Sequence, residues 1–355
     1  MSQKMLIINP GSTSTKVALF EGEVRLAEVA VSHDRAELAR FDNVADQFEY
    51  RTRLIEDWIE SLGDQATEIA AVIGRGAPLK PLEGGSYEIN EKMLADVRCM
   101  RYSNHASNLG PVIAHHLGDK YGIPSLISDP STVDNFIDIA RVSGVPEIER
   151  KSRLHALNIK EVCRREAHKL GKTLHEVDFV AVHMGGGVSV AALRGGQVID
   201  VNDALLGMGP FSFDRAGAVP IGDLVRLCYS GKFTEKQMLD KLSRQSGLVA
   251  YLGSADLREV ERMIQSGDDK ARLYFAAMAY QIAKEIGAAA VCLHGKFEAI
   301  VLTGGMAHSR MLIDEIAKYV GFLGRIVVVA GEYEMEALAA AGLRFLTGRE
   351  KLKKY

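Results

Sequence analysis

Cysteine is scarce: four in 355 residues, at Cys99, Cys163, Cys228 and Cys292, with no CxxC pair and no close-spaced histidine partner. That excludes a zinc ribbon and a disulfide scaffold, and scattered thiols suit a reducing compartment. A charge excess is lacking too. Lys and Arg number 43 against 46 Asp and Glu, a net −3, which leaves no electrostatic footprint for nucleic acid or anionic lipid. The most apolar interior runs, such as IGAAAVCLHG at 286–295, fall well short of a membrane span. The opening stretch MSQKMLIINPGSTSTK has too short an apolar run for a secretory signal. A cytoplasmic chain with neither nucleic acid nor membrane as partner is the expectation. The one basic cluster, REKLKKY at 349–355, reads as a solvated helix end.

What is present argues for a globular fold. The hydrophobic share of 47% rules out disorder and low-complexity fibre, and at about 150 residues per domain the length suggests two domains. Short β-branched runs alternate with helical spacing throughout. MLIIN (5–9), KVALFEG (16–22), IAAVIG (69–74), IPSLISD (123–129), 177–200, FEAIVLTGG (297–305) and RIVVVAG (325–331) read as strands. Helices are expected at 44–63, 108–122, 155–171, 233–247, 256–266, 273–295, 311–321 and 335–354. This alternation argues α/β layers. Residues 5–20 and 179–194 share the plan strand, small-residue turn, strand, which suggests a duplicated α/β domain with a cleft between the halves.

Three turns carry the chemistry. INPGSTSTK (8–16) sets Asn9, Gly11, a run of hydroxyls at Ser12, Thr13, Ser14 and Thr15, and Lys16 between two strands. Exposed amides, hydroxyl donors and a positive charge are the groups that bind phosphate. HMGGGVSVAA (183–192) lets phosphate approach the backbone at Gly185, Gly186 and Gly187, and LTGGMAHS (302–309) places Gly304 and Gly305 at a strand-to-helix junction. Two commoner nucleotide motifs are missing. GKT at 171–173 has Glu166 where a P-loop needs its first glycine, and no GxGxxG opens a helix after a strand.

Together these turns resemble the acetate kinase and butyrate kinase family of the actin and sugar-kinase superfamily, along essentially the whole chain. INPGSTSTK matches the family's first signature; the pattern from His183 to Ala192, followed by Gly196, matches its second. GRGAPLKPLEGGSYEIN (74–90), NHASNLG (104–110), LHALN (154–158) and Gly186 are similar to the butyrate kinase branch. The resemblance implies duplicated actin/sugar-kinase-like (ribonuclease H-like) α/β domains around a central cleft. The first would span 1–150, completed by a C-terminal helix at 338–355, and the second, with the adenosine site, 151–337.

The resemblance also implies roles. Asn9, Ser12, Ser14 and Lys16 would meet phosphate and its Mg²⁺; Arg75 and Arg215 would hold the transferring phosphoryl group. His155 would stabilise the transition state, His183 would head the glycine turn, and His105 lies in a further histidine segment. Asp129 would orient acid and metal, Glu336 would bind magnesium, and Gly304 and Gly305 would flank adenosine. Ala77, where acetate kinases carry valine, would open the acyl pocket toward butyrate. The implied reaction is reversible phosphoryl transfer from ATP to butyrate or a related short or branched carboxylate, giving acyl phosphate and ADP, in a homodimer or larger homo-oligomer. The alternatives are acetate or propionate as acceptor, a sugar kinase, or a sensor ATPase on the same fold.

Overall fold

The computed structural model describes residues 3–355. The chain forms two compact units, one of residues up to Val133 with Tyr333–Tyr355, the other Asp134–Glu332.

The first unit is built on a sheet of six strands: β1 (Lys4–Pro10), β2 (Ser14–Glu21), β3 (Val24–Ser32), β4 (Ile69–Arg75), β5 (Ser86–Glu88) and β6 (Ser125–Ser128). Their order is β3-β2-β1-β4-β6-β5. The hairpins β1–β2 and β2–β3 are antiparallel, whereas β1, β4 and β6 run parallel. The parallel strands are apolar on both faces because helices cover both. Leu6, Ile8 and Val72 pack in one cluster with Leu109, Ile113 and Leu117 of the helix Leu109–Tyr121. On the other face Met5 and Ile73 lie against Gly342 of the helix Glu334–Leu346, where a Cβ would come within 2.7 Å of either side chain.

The second unit repeats the plan with β7 (Asp178–Met184), β8 (Val188–Arg194), β9 (Gln197–Val201), β10 (Ala299–Gly304) and β11 (Ile326–Ala330), in the order β11-β10-β7-β8-β9. Read from β9, this is the order of the first sheet from β3 to β6. The hairpins β7–β8 and β8–β9 are antiparallel and β7, β10 and β11 parallel. Val180, Val182 and Met184 join the core formed with the helix Asp269–Cys292. The repeat seen between 5–20 and 179–194 is therefore β1–β2 against β7–β8.

Two boundaries differ from the expectation. Segment 134–150 packs with the second unit, not the first: Ile137 donates its N–H to the Ile199 carbonyl, and Arg150 pairs with Asp200 at 2.6 Å. The final helix stops at Leu346, with Gly348 at φ +70. Residues beyond it do not form a solvated helix end. Lys353 exchanges backbone hydrogen bonds with Ser86 and Glu88, at 2.9 and 3.0 Å, and the Tyr355 hydroxyl donates to Asp96 at 2.8 Å. No helix of the described residues is long and apolar enough to cross a membrane.

Candidate active site

In the first unit, parallel strands deliver polar side chains to one edge of the sheet. Asn9, Arg75 and Asp129 stand at or just beyond the C-terminal ends of β1, β4 and β6, the place where open α/β sheets bind ligands. Asn9 is buried. Its Nδ2 donates to Glu334 Oε2 at 2.8 Å, and its Oδ1 accepts from Arg75 Nη1 at 3.1 Å. Arg75 Nη2 reaches Glu334 Oε1 at 3.0 Å, closing a triangle of amide, guanidinium and carboxylate. Glu334 is the first residue of its helix, where the dipole favours a negative charge. Two glycines set Arg75 in place: a Cβ at Gly110 would drive into the Arg75 carbonyl, and one at Gly76 would meet Pro130 at 2.7 Å. Asp129, buried, adopts a left-handed backbone at φ +38. It is held by Gly85, whose N–H donates to Asp129 Oδ1 at 2.8 Å while the Asp129 N–H donates to the Gly85 carbonyl at 3.0 Å.

The turn between β1 and β2 is tight, with Gly11 N–H on the Ser14 carbonyl at 2.7 Å. Ser12, Thr13 and Lys16 are exposed and Ser14 half-buried. Behind the turn lies Arg51, from the helix Phe48–Ser61, with 1% of its surface exposed.

In the second unit the candidate groups are imidazoles and bare backbone. His183, near the end of β7, stacks on His155 with ring centroids 3.9 Å apart and planes 10° from parallel. The hydrogen-bond network assigns the His183 tautomer. Thr303 donates its hydroxyl to the Gly331 carbonyl at 3.2 Å and accepts from Asn158 Nδ2 at 3.1 Å. The same amide nitrogen lies 2.9 Å from His183 Nδ1, so Nδ1 accepts and the proton sits on Nε2. Ser189 Oγ accepts the backbone N–H of His155 at 3.3 Å and lies 2.9 Å from its Nδ1. His183 thus presents an Nε2–H beside the parallel ring of His155.

Gly185, Gly186 and Gly187 join β7 to β8. A Cβ at Gly185 would crowd His183 Nε2 at 3.2 Å, and one at Gly187 would overlap the Arg215 guanidinium. Arg215 donates to the Ala204 carbonyl, and burial pushes its guanidinium below the usual arginine range, the nearby Asp214 and Asp203 charges opposing this. Gly304, at φ +89, exchanges two backbone hydrogen bonds with Gly331; a Cβ there would strike the Met184 carbonyl. Gly305 has open space around it. With Gly185, Gly186, Phe213, Arg258 and Glu261 it lines a pocket of about 780 Å³, the size range of small-molecule sites.

A family model described as the Acetokinase family matches residues 147–339, more than half of the chain. The chain belongs to the acetokinase family. An acetate kinase from Porphyromonas gingivalis is similar in structure at TM-score 0.79 and 21% identity, over 97% of this chain and 99% of that one. A propionate kinase from Francisella tularensis subsp. tularensis SCHU S4 follows at 0.77 and 18%, over 95% and 98%. A ROK family protein from Streptococcus pneumoniae TIGR4 gives 0.52 and 12%, over 97% and 99%. At such identities the likeness speaks for the fold, which is the duplicated actin and sugar-kinase architecture.

Within this acetokinase fold the expected residues fare unequally. Asn9 and Arg75 come together, His155 and His183 come together, and Arg215 lies under the Gly185–Gly187 turn. Two expectations are corrected. Glu336 turns to Arg25, with which it pairs; the carboxylate beside Asn9 and Arg75 is Glu334, two residues earlier, because the helix begins at the sheet edge and only its first residue reaches the triangle. Ala77 is fully buried in the apolar core of the first unit with Leu6, Ile8 and Val17, so it walls no acyl pocket. His105 stands exposed before the helix Leu109–Tyr121, its Nδ1 on Ser107 Oγ at 2.8 Å. Asn158, Ser189 and Arg51 were not anticipated. Asn158 and Ser189 stood within the motif strings, but only the fold sets them on the imidazoles.

Magnesium can be tested against the donor set. Among the described residues no three His, Cys, Asp or Glu side chains cluster as a cage. Mg²⁺ does not require one, since it is commonly held by one or two carboxylates, water and substrate phosphates. Glu334, with Asn9 beside it, fits that requirement.

Proposed function

We propose that this acetokinase-family chain transfers the γ-phosphoryl group of ATP reversibly to a short-chain carboxylate, forming an acyl phosphate. The observation that carries the reading is the Asn9–Arg75–Glu334 triangle at the strand ends. An ionised carboxylate is already a nucleophile, so no strong base is needed; the obstacle is repulsion between anions. Arg75 supplies a guanidinium whose attraction strengthens as charge spreads over the equatorial oxygens. In the second unit, the stacked imidazoles of His155 and His183 offer N–H donors for the same charge, and Arg215 adds a positive one. Glu334, Asn9 and Asp129 would hold Mg²⁺, which when bound supplies neutralisation of the phosphate oxygens. Ser12, Ser14 and Lys16 are exposed on the first turn and suit phosphate; the pocket beside Gly305 suits adenosine.

For the acceptor, acetate or propionate is the reading favoured by the similar solved structures, which are kinases of those acids. Butyrate or a branched C4–C5 acid keeps the support of the segments around Arg75, His105 and His155. It loses that of Ala77, whose burial in the core removes the pocket-wall argument. One methylene in a pocket is worth only about 1–3 kcal/mol. Trapping acyl phosphate as hydroxamate, with ATP and Mg²⁺ across C2 to C6 acids, tests both levels. ATP hydrolysis with no hydroxamate from any acid would overturn the kinase reading, and the ranking of kcat/KM decides the acid.

A further inference from the structure

Arg51 plays no part in the chemistry above, yet its placement is costly: a guanidinium with 1% of its surface exposed and, among the described residues, no carboxylate paired with it. All five of its N–H donors are used, on neutral acceptors. Nε and Nη2 bond Gln47 Oε1 at 3.0 and 2.8 Å, and Nη1 bonds the Gly11 carbonyl at 2.7 Å and Thr15 Oγ1 at 3.3 Å. Nη2 also reaches the Ser12 carbonyl at 3.3 Å. A buried charge without a counter-charge is ordinarily selected against, so an anion is the missing partner to seek.

The backbone says where. A trans peptide points its C=O and the following N–H in opposite directions. Drawing the Gly11 and Ser12 carbonyls back onto Arg51 therefore aims the Ser12 and Thr13 N–H groups forward, out of the turn. Neither N–H has an acceptor among the described residues. Two outward amides backed by a positive charge make a nest for phosphate oxygens. Thr13 is tied separately, its carbonyl accepting the His33 N–H at 2.9 Å, and Thr15 Oγ1 meets His33 Nε2 at 2.8 Å. The turn is thus held from behind by Arg51, Gln47, Thr15 and His33.

We propose that Arg51 is a positioning residue for the phosphate chain of the nucleotide: it aims the Ser12 and Thr13 amides and lends them an uncompensated positive charge. This rests on the phosphotransfer reading above, and the test separates the two. Gln47→Glu keeps the geometry around Arg51 but places a carboxylate on it, cancelling the charge. Arg51→Lys keeps the charge but lacks the fork that holds both carbonyls. Titration calorimetry with Mg-ADP and with inorganic tripolyphosphate, melting temperatures, and KM for ATP and for the acid are measured in all three proteins. The expected result is about tenfold weaker binding of both probes in each variant, with KM for ATP raised and KM for the acid unmoved. Gln47→Glu should melt within a few degrees of wild type. Wild-type affinity in both variants, whatever their melting temperatures, overturns the role of Arg51 alone. Failure of the unaltered protein to bind either probe overturns the phosphotransfer reading with it.

Discussion

Asn9 is the penultimate residue of β1, and His183 holds the same place in β7 of the second sheet. The hairpins they open are topologically equivalent, and the neighbouring parallel strands bring Arg75 beside Asn9 and Thr303 beside His183. The two edges are loaded differently. In the first, charged and amide side chains converge, and the turn presents hydroxyls steadied by a buried guanidinium. In the second, imidazoles stack and three glycines bare the backbone, with Arg215 under the turn. On the proposed reading, one scaffold offers phosphate two kinds of contact: side-chain charge at the first edge and close backbone approach at the second.

The sharpest way to break that contrast is Arg75→Ala. Arginines that stabilise phosphoryl transfer contribute about 10³–10⁵ in rate, so kcat should fall about a thousandfold while far-ultraviolet circular dichroism stays native. A kcat within tenfold of wild type would remove Arg75 from the chemistry. Next comes Gly304→Ala in the second unit. The left-handed backbone and the clash with the Met184 carbonyl should together cost about 3 kcal/mol or more, read as a lowered urea midpoint. Gly305→Ala, with open space around it, should leave the midpoint unchanged; equal losses in the two would show that backbone approach at Gly304 is not what the turn requires.

A smaller effect separates two carboxylates. Glu334→Gln should shift the Mg²⁺ dependence of turnover upward about tenfold, since an amide of the same shape lacks the charge that attracts a hydrated cation. Glu336→Gln should leave it alone, because that carboxylate is committed to Arg25. Superimposable magnesium titrations for wild type and Glu334→Gln would refute the assignment.

The smallest effect is on acid stability. Burial, and secondarily the Arg51 charge, holds His33 down to about 4 from its ordinary 6.5. The folded state keeps this imidazole neutral while the unfolded chain protonates it below 6.5. Stability from this group is therefore complete above that pH and declines as pH falls toward 4. His33→Gln should flatten the dependence of the urea midpoint between those limits; an unchanged slope would place the acid sensitivity elsewhere.

Much of this was legible in the linear chain. The duplication showed as a shared plan at 5–20 and 179–194, because hairpins with small-residue turns leave a local pattern. Asn9, Arg75, His155 and His183 stood in recognisable strings. Other features were not legible, for identifiable reasons. Glu334 and Glu336 share one helix turn, and which carboxylate reaches Asn9 depends on where the helix starts relative to the sheet edge. Ala77 follows Arg75 by two residues, and its side chain goes into the core with Leu6 and Ile8, which spacing from a motif does not reveal. The 349–355 segment looked like a charged helix end, yet it pairs with β5 through backbone hydrogen bonds that carry no residue signature.

What the sequence determined by itself is what local physics encodes: strand and helix alternation, turns rich in glycine and hydroxyls, and the repeat that makes two sheets of one order. What only the tertiary structure decided is which distant groups share a hydrogen bond. Arg51 meets Gly11, Asn158 meets Thr303, and Glu334 meets Asn9 across 325 residues of chain. Such pairings depend on strand register and helix placement, and those are settled by burying the whole core at once.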